Sequence, residues 1–84
     1  MSNIASHPTV RMNIANVIRR KLEAKSDRDL LRVVETYNGW FGHSEGSSGY
    51  LSPFKARVHV IEDILNTKPF AMPGGLLDFA EKFI

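Results

Sequence analysis

Residues 8–41, PTVRMNIANVIRRKLEAKSDRDLLRVVETYNGWF, hold two apolar patterns of helical period divided by one strong helix start at Ser26. In the first, Val10, Ile14, Val17, Ile18 and Leu22 recur at spacings that share one face of a 3.6-residue helix. Pro8 suits the first helical position, where its fixed φ helps and its missing N–H costs nothing, so helix 1 is expected over about 8–25. Ser26 supplies an N-cap oxygen, and Asp27 and Asp29 place negative charge in the positive first turn of helix 2. Helix 2, about 27–41, carries Leu30, Leu31, Val33, Val34, Tyr37, Trp40 and Phe41. At ~100° per residue that face covers about half the cylinder, more than one neighbour needs. Gly39 and Gly42 end or fray it.

Outward from this pair, residues 42–52 form a Gly/Ser-rich loop, and Ser52 followed by Pro53 reads as the cap and first residue of helix 3, about 53–66. Helix 3 has two seams: Phe54, Val58, Ile61 and Leu65 on one side, Ala56, Val60 and Ile64 on another. Residues 67–75, with Pro69, Pro73, Gly74 and Gly75, predict irregular chain anchored by Phe70 and Met72. A short last helix, about 76–83, would line Leu76, Leu77, Ala80, Phe83 and Ile84 along one side. No apolar run alternates with period two. The expected fold is therefore all-α, a compact bundle of three main helices plus the short C-terminal one, in a single small domain over 1–84.

Composition narrows the function. With no cysteine, a chain of 84 residues has neither disulfides nor thiolate ligands, which fits a reducing compartment. No window approaches the ~18 apolar residues of a membrane span and the start lacks a leader pattern, so the expectation is a cytoplasmic protein without membrane contact. Net charge is only +2, but residues 1–32 hold seven bases against three acids. That asymmetry makes Arg19, Arg20, Lys25, Arg28 and Arg32, at the helix 1/helix 2 junction, candidates for nucleic-acid contact. Glu23, Asp27 and Asp29 among them weaken a phosphate-tracking stripe.

No motif fixes a chemistry. The segment Gly42–Gly49 is Gly-rich but has no lysine and follows a helix, so it is no phosphate-binding P-loop. His43, Glu45, Ser47 and Ser48 are residue types of a nucleophile and base, yet they crowd one loop with nothing to position them. His59 and Asp63 share a helix face without a supporting ligand set. We expect no catalytic residue, metal or cofactor. Residues 37–54 carry five of the eight aromatics and four of the six glycines, which concentrates expected function there. The expected function is a non-enzymatic protein-interaction module, a small adaptor, inhibitor or regulator. It would meet a protein partner through Trp40, His43, Glu45 and Tyr50, with Val60 and Ile64 on helix 3 either offering a surface for a second copy or meeting the C-terminal helix. The alternative is a nucleic-acid-binding regulator using the basic junction.

Overall fold

The computed structural model describes residues 8–84, which form four α-helices and, among the described residues, no strand: α1 (Pro8–Glu23), α2 (Asp27–Trp40), α3 (Arg57–Leu65) and α4 (Leu76–Phe83). The bundle follows the expected plan. α1 packs mainly along α3, and α2 along α4. On α1 the buried stripe is narrower than the spacing suggested: Ile18 and Leu22 are buried and Ile14 packs against them, whereas Val17 is half exposed. Val17 lies about 100° around the helix from Ile18, outside what one neighbouring helix covers.

The junction between α1 and α2 is built by capping. Lys25 N–H closes the last turn on Leu22 C=O at 3.2 Å, and α1 ends at Glu23, two residues short of the expected boundary. Ser26 then turns extended and its Oγ accepts from Asp29 N–H at 3.1 Å, as an N-cap should. Arg57, from the start of α3, locks this corner. Its guanidinium donates to Lys25 C=O at 2.7 Å, to Leu22 and Glu23 C=O at 3.4 Å each, and to the Asp27 carboxylate. One forked side chain thus serves three carbonyls at and just beyond the end of α1 and ties them to the first residues of both α2 and α3.

At its far end, α2 stops in a Schellman arrangement. Gly42, at φ +69°, lets His43 N–H reach Asn38 C=O at 2.8 Å and its own N–H reach Gly39 C=O at 3.3 Å. Trp40 and Phe41 therefore sit on the last turn and cap, still directed at the core.

α3 starts four residues later than Ser52-Pro53 implied. Ser52 Oγ accepts from Phe54 N–H and its carbonyl from Lys55 N–H, which makes a separate turn over 52–55, and Ala56 takes the N-cap position. The offset changes which seam is buried. Val60, Ile61, Ile64 and Leu65 are all in the core, while Phe54 and Val58 are exposed. Beyond α3, Phe70 is buried with the Arg11 guanidinium 4.4 Å above its ring, but Met72 is exposed and anchors nothing. Gly75 is confined: a Cβ there would stand 2.8 Å from the carbonyl oxygens of both Met72 and Pro69. On α4 the fully buried ring is Phe79, absent from the expected stripe, and Phe83 is partly exposed. Phe79 lies within 6.1 Å, ring centre to ring centre, of Tyr37, Trp40, Phe41 and Phe83, which joins α4 to the end of α2.

Because Arg57 replaces water at three carbonyls while remaining partly exposed, Arg57→Met is expected to lower unfolding free energy by about 1–2 kcal/mol in urea titration. Arg57→Lys should recover less than half of that, since an ammonium lacks the fork. An unchanged midpoint in Arg57→Met would mean that water serves those carbonyls equally well.

Candidate docking site

The central loop is closed at its base by one buried side chain. Asn38, on the inner face of α2, donates from Nδ2 to Leu51 C=O and accepts from Leu51 N–H at Oδ1, both at 2.9 Å. The amide thereby gives Leu51 the two bonds that a neighbouring strand would give it. Above this clasp, the His43 ring lies flat against Gly49, so close that a Cβ on Gly49 would stand 2.3 Å from the imidazole. The same ring stacks near Phe41 at 6.3 Å and 21°. Two turns, Ser47 N–H to Ser44 C=O and Tyr50 N–H to Ser47 C=O, complete the loop.

These contacts redistribute the expected docking residues. Trp40 donates its Nε1–H to Gly74 C=O at 2.9 Å and packs edge-on against Phe79 and Phe83, so its ring fastens the 66–75 segment and α4. His43 is engaged with Gly49 and Phe41, and Tyr50 is half buried, while Glu45 stands in solvent. Val60 is 3% exposed and Ile64 0%, which corrects their placement on a surface: they are core. Tyr37 is also interior, its hydroxyl paired with Thr67 Oγ1 at 2.8 Å.

Among the basic candidates, Arg19 is already committed. It makes a bidentate pair with Glu62 at 3.0 Å and donates to Asn16 Oδ1 at 2.6 Å, fastening α1 to α3. Arg20, Arg28 and Arg32 are exposed and Lys25 half exposed, but Glu23, Asp29 and Glu35 are exposed on the same two helices. His59 and Asp63 do not pair; Asp63 accepts from Lys55 Nζ at 2.7 Å. Among the described residues no group of three or more His, Asp or Glu side chains is placed to hold a metal ion.

Among the described residues the most exposed large apolar side chain is on the turn before α3. Phe54 is 94% exposed, and Val58, four residues on, is 61% exposed. Pro53 and Lys55, on either side of Phe54, wall a cleft of about 290 Å³ between this turn and α2. Its floor is Leu30, Val34 and Val60; Leu31 forms part of the wall, and Asp27, Lys55 and Arg57 carry charge around it. Two anchors hold the geometry, the Asn38 clasp at Leu51 and the Arg57 fork at the α1 terminus. Phe54, expected within helix 3, lies on the turn before α3 instead, and neither anchor is legible in the sequence. A lone Asn in a helical pattern and a lone Arg at a helix start have no periodic signature.

Asn38→Ala strands the buried N–H and C=O of Leu51 and is expected to destabilise by about 2–3 kcal/mol in chemical denaturation. Gly49→Ala forces the His43 ring away, and His43→Ala should relieve it: in a double-mutant cycle the pair should couple by ~1 kcal/mol or more. Additive losses would mean that the two residues do not touch in solution. Comparison of the chain with protein-family models, curated proteins and solved structures finds no match.

Proposed function

We propose that this chain is a non-enzymatic protein-interaction module, an adaptor, inhibitor or regulator of the cytoplasm, that docks through Phe54 and the cleft beside it. The observation that carries this reading is the 94% exposure of Phe54. Burying a phenylalanine is worth about 1.5–3 kcal/mol, and this chain uses Phe70 and Phe79 in its core while holding Phe54 in water on an anchored turn. The cleft beside the turn that carries Phe54 offers an apolar floor of Leu30, Val34 and Val60. Aromatic anchors beside a pocket, ringed by charge, are the usual centre of protein-binding energy.

A second reading, nucleic-acid contact through Arg20, Lys25, Arg28 and Arg32, is favoured by the exposure of those bases. It predicts a different response to salt, because phosphate neutralisation weakens steeply between low and physiological ionic strength. Capture from a lysate of the producing cells separates the two. Phe54→Ala should reduce partner recovery about tenfold or more, with an unchanged unfolding midpoint, and recovery by the wild-type chain should persist in high salt. Equal recovery by Phe54→Ala contradicts the proposal. Loss with Arg28→Ala/Arg32→Ala together with steep salt dependence would transfer the function to the basic junction.

A further inference from the structure

We infer that Asn38–Gly39 is a site of spontaneous modification, at which the amide that clasps Leu51 becomes a carboxyl group and the clasp is lost irreversibly. The sequence singles this pair out. Of the five asparagines, Asn3 and Asn13 precede isoleucine, Asn16 precedes valine and Asn66 precedes threonine, whose branched side chains shield the backbone nitrogen that must attack. Only Asn38 precedes a glycine. The chain has no glutamine, and none of its four aspartates precedes a glycine. The reaction needs no reagent but water. Gly39 N bonds to Asn38 Cγ, the side-chain nitrogen leaves as ammonia with the Gly39 proton, and water opens the resulting cyclic imide to aspartate or isoaspartate.

The fold holds this reaction off. Both residues belong to α2, and closing the imide ring requires Asn38 to leave helical ψ. Asn38 Nδ2 and Oδ1 are both bonded to Leu51 at 2.9 Å, and the residue is buried, so the amide is not free to swing toward Gly39 N and water is kept from it. Opening of the clasp lifts these restraints together. The product cannot restore it, because a carboxylate has no N–H for Leu51 C=O and sets a negative oxygen against that carbonyl. Isoaspartate also adds a backbone carbon to the last turn of α2. Gly39 itself is not demanded by the fold: it is exposed, with nothing within 4 Å of where a Cβ would lie. The clasp is thus a single-use closure.

Incubation of the full chain at neutral pH, folded and in urea, with amide-to-acid conversion located by peptide mass spectrometry, tests this. In urea Asn38 should convert while the other four asparagines stay amides. In the folded chain its conversion should be slower by about a hundredfold or more, because the open fraction is small. Gly39→Ala puts a Cβ beside the attacking nitrogen and should slow conversion in urea by about tenfold or more, without lowering the unfolding midpoint. Asn38→Asp, one product in homogeneous form, should unfold at a lower urea concentration than wild type. An unfolded chain whose Asn38 stays an amide overturns the inference, as does conversion spread over several asparagines or a folded chain that converts as fast as the unfolded one. So does a Gly39→Ala chain that converts at the wild-type rate in urea, or an Asn38→Asp variant as stable as wild type. Should Asn38→Asp fail to fold, the conversion rates of wild type and Gly39→Ala still decide the matter.

Discussion

The architecture around the docking surface depends on a reciprocal pair of hydrogen bonds between one amide side chain and one backbone residue, Asn38 and Leu51. The chain leaving α2 returns to the bundle at Leu51, held there by this pair and by burial of the Leu51 side chain in the core. The segment 39–50 thereby becomes an excursion with a closed base. The entropy of closing such a loop grows only as the logarithm of its length, so the loop's length matters less than the two bonds that shut it. Burial decides their strength: Asn38 is 8% exposed and Leu51 5%, so water cannot substitute for a lost partner. The turn over 52–55 starts at the residue after this clasp, and Phe54 on it is 94% exposed.

Two kinds of fastening hold the bundle, and they sit on different helix pairs. Polar forks join α1 to α3: Arg19 to Glu62, and Arg57 to the carbonyls ending α1. Aromatic contacts join α2 to α4, with Phe79 at the centre of Tyr37, Trp40, Phe41 and Phe83, and the Trp40 N–H holding Gly74. The proposed docking cleft lies where α2 faces the start of α3, between the two fastened pairs. Its charged rim does double duty, since Asp27 and Arg57 are also part of the corner that caps α1.

The helices were legible because period and caps agree over residues 8–41: the 14/18/22 stripe, the Ser26 cap and the Gly42 terminator each point to the same boundaries within two residues. The docking surface was legible only as a neighbourhood. Ser52-Pro53 has the chemistry of a helix start, but the turn it makes closes on itself, and α3 begins where Arg57 can reach the end of α1. That four-residue shift takes Phe54 out of a seam and leaves Val60 and Ile64 inside. Arg19 and Glu62 stand 43 positions apart, so the pairing that removes Arg19 from a basic surface carries no local signal. The excess of rings over 37–54 was real, yet most of it is spent on holding α4, and Phe54 alone of them is left fully in solvent.

Hydrogen exchange at the Leu51 amide tests the clasp most directly, because this N–H has a side chain, not a helix or a strand, as its acceptor. The structure predicts that it exchanges with the slow class of core amides on α2 and α3, and that Asn38→Ala releases it while the α1 amides stay protected. Exchange of Leu51 in the wild type at the rate of the exposed loop amides of Ser47 and Ser48 would contradict the account.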